Sequence, residues 1–168
     1  MRFRIEQVFA ASPIDVASAL VDPTYLVAMG ELPDIGAPTL RLQRREGLIV
    51  HQELVFQFHG HLPAVVTRVI DPKKLSWVEY DEVDLGAASA TFRMVPSHYQ
   101  KFFTCRGTWA IAMHGPDRCQ RVIDGDLRVN SPVPFVGGQV ERAIVSGLKQ
   151  RLALEPEVFA RWQGNHAS

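Results

Sequence analysis

The stretch Val133–Leu152, VPFVGGQVERAIVSGLKQRL, decides how this chain folds. Its apolar residues recur at helical spacing, with charged residues in the other directions, which predicts a long amphipathic helix near the C-terminus. Gly137, Gly138 and Gly147 lie inside that helix, although each glycine costs about 0.5–1 kcal/mol there relative to alanine. We expect the missing side chains to let the helix approach its neighbours or to leave space for a ligand.

The N-terminal part of the chain predicts a strand followed by two short helices. Polar and apolar residues alternate through Met1–Phe9, the pattern of a half-buried strand. Ser12 then provides an N-cap, with Pro13 at the first helical position. Asp22 and Pro23 end this helix and begin a second one.

Between these helices and the C-terminal helix, residues 39–130 alternate repeatedly between apolar and polar side chains. This pattern predicts a sheet built mostly from neighbouring antiparallel strands. The pattern does not decide the structure of two segments. Leu62–Asp71 fits either a strand or a short helix, and the register of Trp77–Val83 is ambiguous because Glu79 and Tyr80 lie on competing faces.

Composition limits the class of protein. A chain of 168 residues with 46% hydrophobic residues predicts a single domain over residues 1–168. Lys plus Arg and Asp plus Glu number 18 each, so no net field attracts nucleic acid or an anionic membrane. No apolar run reaches membrane-spanning length, and the N-terminus lacks the apolar core of a secretory signal. We therefore expect a cytoplasmic protein that has no nucleic-acid partner and no stable membrane insertion.

Three stretches carry a resemblance to a known family: MRFRIEQVFAASPIDVASAL at 1–20, LPAVVTRVID with WVEYDEVDL at 62–85, and VPFVGGQVERAI leading to FARW at 133–162. With this order of elements the chain resembles the START-like superfamily, also called SRPBCC, and most closely the actinobacterial domain of unknown function 2505. The resemblance implies an α+β helix-grip fold. In that fold a curved antiparallel β-sheet wraps around a long C-terminal α-helix, with two short helices after the first strand.

The resemblance also implies a cavity between the sheet and the C-terminal helix. Such a cavity suits a hydrophobic or amphipathic small molecule, for example a lipid, an isoprenoid or a polyketide. The candidate ligand-binding residues are Gln52, Phe56, Phe58, Phe92, Met94, Trp109, Ile111 and Met113 from strands, and Val140, Ile144 and Leu148 from the helix. No cofactor is expected.

Metal and nucleophilic chemistry find little support in the sequence. His59 and His61 in HGH have no third ligand at a recognisable spacing and are expected in an exposed turn, so no metal site is predicted. Cys105 has no neighbouring histidine that could act as its base. Cys105 and Cys119 also lack the spacing of a disulfide framework.

Polar residues on the apolar faces of strands could have either a ligand-binding or a structural role. Gln7 and Gln52 could orient a ligand, or could bind backbone groups or buried water, which is the commoner role. A buried Glu79 could have a raised pKa and act as an acid or base, although composition alone favours a surface position for Glu79 and Asp81.

Three functions are compatible with these patterns. Binding or carriage of a hydrophobic small molecule is the preferred one. The second is a polyketide cyclase or dehydratase-like enzyme, in which Glu79 transfers protons together with Tyr80 or with a histidine at the cavity mouth. His98, Tyr99 and His114 are the candidates for that mouth, and the mechanism needs paired polar groups in the cavity. The third is a structural or dimerising domain with a filled core. A homodimer is compatible with all three.

Overall fold

Seven antiparallel strands form one sheet in the part of the chain that the computed structural model describes, residues 1–62, 64–68, 70–130 and 136–166. The strands are β1 (Arg2–Phe9), β2 (Thr39–Glu46), β3 (Ile49–Gln57), β4 (Ser76–Asp84), β5 (Ser89–Pro96), β6 (Phe103–Met113) and β7 (Cys119–Val129). Their order across the sheet is β1-β7-β6-β5-β4-β3-β2. The antiparallel sheet predicted from the alternation is confirmed.

The helices pack against one face of this sheet. They are α1 (Pro13–Ala19), α2 (Pro23–Ala28), α3 (Ala64–Thr67), α4 (Val136–Ala153) and α5 (Glu155–His166), with 3-10 turns at Met29–Glu31 and Pro72–Lys74. Helix α1 contacts β6, α4 contacts β1 and β7, and α5 contacts β1. Among the helices of the described ranges, none is both long and apolar enough to span a bilayer.

Both helix starts predicted after β1 are confirmed by their caps. The Ser12 hydroxyl accepts a hydrogen bond from the Asp15 backbone N–H at 3.2 Å, and the Asp22 carboxylate accepts one from the Thr24 N–H at 2.7 Å. A proline occupies the first turn of each helix, where a missing N–H has no helical partner to lose. Local sequence therefore accounts for this part of the fold.

The two ambiguous segments have definite structures. Residues Ala64–Thr67 form the helix α3 rather than a strand. In β4, Asp81 pairs with Gln52 of β3 and is 8% exposed, so the face that carries Glu79 points inward. The expected surface position of these carboxylates is wrong, because pairing with β3 and β5 decides which face of β4 is covered.

Glycine has a different role from the one expected in the C-terminal helix. Gly147 is exposed and a Cβ there would meet no atom within 4 Å, while the nearest atom to a Cβ on Gly138 is Arg142 Nη1 at 3.8 Å. The expectation that these two glycines admit a neighbour or a ligand is therefore wrong. Close approach occurs instead in β6, where a Cβ on Gly107 would lie 2.6 Å from Phe92 Cζ.

Candidate ligand-binding cavity

A cavity of about 120 Å³, partly open to solvent, lies between the inner face of the sheet and the helices. Most of its wall is apolar, and the aromatic part consists of Phe3, Phe56, Trp77, Phe92 and Trp109. The polar side chains that border it are Gln52, Glu79, Asp81, Arg121, Arg151 and Glu155. Mostly apolar walls with a few placed polar groups are typical of small-molecule sites.

The structure brings about half of the predicted site residues together on this wall. Those that border the cavity are Gln52, Phe56, Phe92, Met94, Trp109 and Leu148. Their common feature is an inward position on β3, β5, β6 or α4. Whether any of them contacts a ligand stays a prediction.

The other predicted residues lie away from the cavity. Ile111 belongs to the main core, and Val140 packs in a separate cluster against which Ile144 also lies. Phe58 is half-buried beyond the end of β3. Met113 is 54% exposed at the last position of β6, beyond the residues of β6 that pair with β5.

The residues proposed as partners of Glu79 in acid–base chemistry also lie elsewhere. Tyr80 is on the outer face of β4, where the guanidinium of Arg93 stacks over its ring at 3.8 Å and Arg41 Nη2 donates to its hydroxyl at 3.1 Å. His98 and His114 are exposed and do not border the cavity. Their assignment to the cavity is wrong.

Asp81 is held in place by an amide from the neighbouring strand. Gln52 Nε2 donates to Asp81 Oδ2 at 2.9 Å and to the Leu20 carbonyl at 3.2 Å. Gln52 therefore has the structural partners that a buried amide needs, and it also borders the cavity. Oδ1 of Asp81 is buried, and no hydrogen-bond donor to it is present in the described ranges.

Glu79 and Asp81 lie two residues apart on the inner face of β4, where Asp81 is buried and Glu79 is half-buried. Burial raises the pKa of Asp81 to about 6, although the hydrogen bond from Gln52 opposes that rise. Burial, and then the negative charge of Asp81, raise the pKa of Glu79 well above its ordinary value. Glu79 therefore favours its protonated form next to an Asp81 that ionises more easily.

An aromatic pair lies beside these carboxyls. The rings of Phe56 and Trp77 stack with centroids 5.4 Å apart and an interplanar angle of 14°. Trp77 Nε1 is buried, and in the described part of the chain it has no hydrogen-bond acceptor. Both rings border the cavity, so they form a flat apolar surface beside the acid pair.

A buried ion pair joins the C-terminal helix region to the sheet. Arg121 on β7 binds Glu155 at the start of α5, and both are at most 3% exposed. Gln7 Nε2 donates to Glu155 Oε2 at 2.9 Å, the Tyr25 hydroxyl donates to Glu155 Oε1 at 3.2 Å, and Arg121 Nε donates to Gln7 Oε1 at 2.7 Å. Burial, reinforced by the charge of Glu155, raises the pKa of Tyr25. Gln7 thus has the structural role that sequence reasoning favoured.

A second buried arginine fastens α4 to the segment after α2. Arg151 Nη1 donates to the carbonyls of Pro33 at 2.7 Å and Ile35 at 2.9 Å, and Nη2 donates to the Met29 carbonyl at 3.2 Å. Burial lowers the pKa of Arg151 to about 10, although Glu155 and Asp34 favour its charged form. Met29, Ile35 and Arg151 all border the cavity, so this contact forms part of its wall.

Sequence reasoning missed Arg121, Arg151 and Glu155. A signal existed for Arg121, since it shares the alternation of Ile123 on the inner face of β7. Glu155 follows Leu148 and Leu152 at helical spacing. Arg151 follows Ile144 and Leu148 at the same helical spacing.

Among the described residues, Cys105, His59 and His61 are not arranged for nucleophilic or metal chemistry. Burial, followed by the charges of Glu79 and Asp126, raises the pKa of Cys105 to about 12, so its thiol is protonated at neutral pH. Within the described residues, no group of three or more His, Cys, Asp or Glu side chains is placed to hold a metal ion. His59 and His61 are exposed, as expected for a turn.

Comparison with known proteins places the chain in a family and identifies its fold. A family model described as "Protein of unknown function (DUF2505)" matches residues 4–162. No curated protein matches the sequence. The solved structures that are similar to it share little sequence, so they inform on the fold alone.

Three of these structures cover nearly the whole chain. TTHA0849 from Thermus thermophilus has a TM-score of 0.66 at 17% identity, covering 100% of both chains. The Zhui aromatase/cyclase from Streptomyces sp. R1128 has a TM-score of 0.67 at 11% identity, covering 96% of this chain and 94% of that one. Norcoclaurine synthase from Thalictrum flavum has a TM-score of 0.61 at 18% identity, covering 100% and 88%. The predicted DUF2505 family and the helix-grip fold, an antiparallel sheet packed against a long C-terminal helix, are confirmed.

Proposed function

The chain belongs to the DUF2505 family and has a START-like fold, and from its cavity we propose that it binds a hydrophobic or amphipathic small molecule between sheet and helix. The observation that carries the proposal is the cavity itself, in which aromatic walls surround a small set of polar side chains. A structural domain with a filled core would have no need of such a space.

The volume limits what the cavity admits. At about 120 Å³ it is close to the roughly 150 Å³ apolar cavity that admits benzene in another protein. We infer that one ring or a short branch of the ligand enters, and that any longer part extends through the open side. A lipid or polyketide would then be held by one end.

The similar structures support a ring-bearing ligand. One is named an aromatase/cyclase, and the norcoclaurine synthase was solved with dopamine and hydroxybenzaldehyde. In this chain, the stacked Phe56 and Trp77 offer a comparable aromatic ligand a flat surface. The residues that line the cavity support binding or carriage of a small molecule, without any step of catalysis.

Mass spectrometry of small molecules released from the purified protein tests this proposal. We expect a stoichiometric hydrophobic species, or uptake of added single-ring compounds, in the wild-type protein. Leu148→Trp should abolish either one, because the larger side chain occupies the cavity wall. The matched control is Leu154→Trp on the same helical region, since Leu154 is 43% exposed and does not border the cavity.

Two outcomes would count against binding at this site. Retention of the same species by Leu148→Trp would place the ligand elsewhere. If the wild-type protein neither retains nor takes up any hydrophobic molecule, the binding function is wrong. Circular dichroism of each variant separates loss of binding from loss of folding.

A further inference from the structure

One oxygen of Asp81 lacks a hydrogen-bond partner at the wall of the cavity. Oδ2 accepts from Gln52, whereas Oδ1 is buried and meets no donor among the described residues. Asp81 as a whole is 8% exposed, and it borders the cavity. A buried acceptor without a donor is unfavourable, so this oxygen has a hydrogen bond to gain from a bound molecule.

The bond from Gln52 holds the carboxylate in position. Gln52 is 3% exposed and pairs with Asp81 across β3 and β4. Its amide nitrogen donates to Asp81 Oδ2 at 2.9 Å and to the Leu20 carbonyl at 3.2 Å. A donor from the protein therefore occupies Oδ2, and Oδ1 is left as a preformed acceptor on the wall.

The arginines that border the cavity are engaged elsewhere. Arg121 is paired with Glu155, and Arg151 donates to three backbone carbonyls. Within the described ranges, no hydrogen bond or salt bridge joins either arginine to Asp81. These two cations therefore do not supply the missing donor.

Trp77 is the other residue of the wall with a buried, unpaired polar atom, and it needs the opposite chemistry. Its Nε1 is a donor and would bind an acceptor such as a carbonyl oxygen. Trp77 precedes Asp81 by four residues on β4, about 13 Å along the strand. Asp81 is buried whereas Trp77 is half-buried, and a charged acceptor gives the stronger hydrogen bond.

We propose that the cavity selects a ring-sized molecule with a hydroxyl group, whose O–H donates to Oδ1 of Asp81 while the ring lies against the apolar wall. This inference rests on the proposed binding function. A hydroxyl brings the donor without carrying a charge into the apolar site. An ammonium group would enter a wall that holds Arg151, whose hydrogen-bond partners are backbone carbonyls and not a carboxylate.

Four probes of nearly the same size test this selectivity: cumene, acetophenone, 1-phenylethanol and 1-phenylethylamine. They carry no polar group, an acceptor alone, a hydroxyl and a cation. We measure their dissociation constants by ligand-observed NMR at about pH 8, where Asp81 is ionised. 1-Phenylethanol should bind about tenfold more tightly than cumene or acetophenone, the ratio expected for one hydrogen bond to a charged acceptor, and more tightly than the amine.

Asp81→Asn tests whether this carboxylate is the acceptor. Because Gln52 donates to Oδ2, the Asn oxygen should face Gln52 and the Asn NH2 group should take the place of Oδ1. That group can donate to a ketone as well as to an alcohol, so acetophenone and 1-phenylethanol should bind within about twofold of each other. Glu82→Gln is the matched control, since Glu82 is exposed on the same strand, and it should behave as wild type.

A measurement on the wild-type protein keeps the proposal testable if Asp81→Asn does not fold. The side-chain amide of Gln52 donates to the same carboxylate, so its NMR signals should shift further with 1-phenylethanol than with cumene. Equal shifts with the two probes would place the hydroxyl away from Asp81 and overturn the proposal.

Each contrary result has a separate meaning. If none of the probes binds to the wild-type protein, the proposed binding function fails and this inference fails with it. If cumene binds as tightly as 1-phenylethanol, only the inference fails. Tightest binding of acetophenone would assign the polar contact to a donor such as Trp77, and tightest binding of the amine would mean a cationic ligand. Both results overturn the proposal.

Glu79 is the alternative acceptor, because it also borders the cavity. A preference for the hydroxyl that survives Asp81→Asn but is lost in Glu79→Gln would assign the acceptor to Glu79. That result would likewise overturn the proposal.

Discussion

Gln52 and Asp81 lie opposite each other on β3 and β4, and their side chains are joined by a hydrogen bond of 2.9 Å inside the protein. The amide binds one oxygen of Asp81, and the other oxygen is buried without a hydrogen-bond donor among the described residues. An acid pair is therefore built into an apolar wall by neighbours on adjacent strands. The effect of this acid pair on the free energy of unfolding, and the pH at which it is protonated, can both be measured.

Replacement of Asp81 by Asn should change how stability depends on pH. Folding raises the pKa of Asp81 from 3.8 to about 6, so the folded state binds this proton more tightly. Its stabilising contribution is therefore complete below the unfolded pKa and is lost as the pH rises through about 6. Urea unfolding from about pH 4 to about pH 7 should show a fall in the free energy of unfolding that is smaller in Asp81→Asn, by on the order of 2–3 kcal/mol.

The control for this experiment is Asp124→Asn, which replaces an exposed carboxylate of β7. It should leave the slope of stability against pH nearly unchanged. Equal slopes in wild type and Asp81→Asn would show that Asp81 titrates normally, and the acid pair would have to be abandoned.

Loss of the buried ion pair should be costly. Glu155→Gln preserves the shape of the side chain but leaves the Arg121 charge without its carboxylate, so we expect the free energy of unfolding to fall by about 3–5 kcal/mol. The matched variant is Glu31→Gln, which breaks the exposed pair with Arg161 and should cost less than about 1 kcal/mol. Chemical denaturation measures both. Equal effects would mean that the buried pair contributes no more than a surface one.

Two Gly→Ala substitutions should act in opposite directions. Gly147→Ala should raise stability by about 0.5–1 kcal/mol, because the helix gains a better former and the Cβ meets no neighbour. Gly107→Ala should lower stability by about 1–3 kcal/mol, because its Cβ would overlap Phe92 Cζ and the Asp124 carbonyl. Thermal unfolding reports both signs. A destabilised Gly147→Ala protein would imply a contact that the exposed helix surface does not have.

Arg151→Met should loosen the segment that this arginine holds. The guanidinium donates to the carbonyls of Met29, Pro33 and Ile35, and methionine can replace none of these bonds. Amide hydrogen exchange in residues 29–36 should therefore become at least about tenfold faster. Lys149→Met, at an exposed position of the same helix, should not change it. Unchanged exchange in Arg151→Met would show that this segment is held by apolar packing alone.

The fold was predictable because its signals are local. The alternation of β1 places Phe3 and Ile5 inside, and Ser12 and Asp22 cap the two helices as their positions predict. The family resemblance added the arrangement of these elements. Register was the exception, since Glu79 and Tyr80 compete for the inside of β4 until neighbouring strands cover one face.

The site was predictable only in part. Alternation of polar and apolar residues correctly placed Phe92 and Trp109 on the cavity wall, but it also placed Met113 there. Alternation shows which face of a strand points inward, but it does not show how far along the strand the helices cover that face. The polar residues Arg121 and Glu155 were missed because charged side chains are ordinarily assigned to the surface. They are buried here because each provides the other with a partner.

By itself, the sequence determined the order of the elements, the face of most strands and the helix-grip class, because these depend on residue spacing, caps and a family pattern that lie along the chain. Only the tertiary structure decided that the interior holds a cavity, that Glu79 and Asp81 share it, and that Arg121 meets Glu155 across 34 positions of sequence. Protonation and ion pairing depend on distance and burial, and those are properties of the packed molecule.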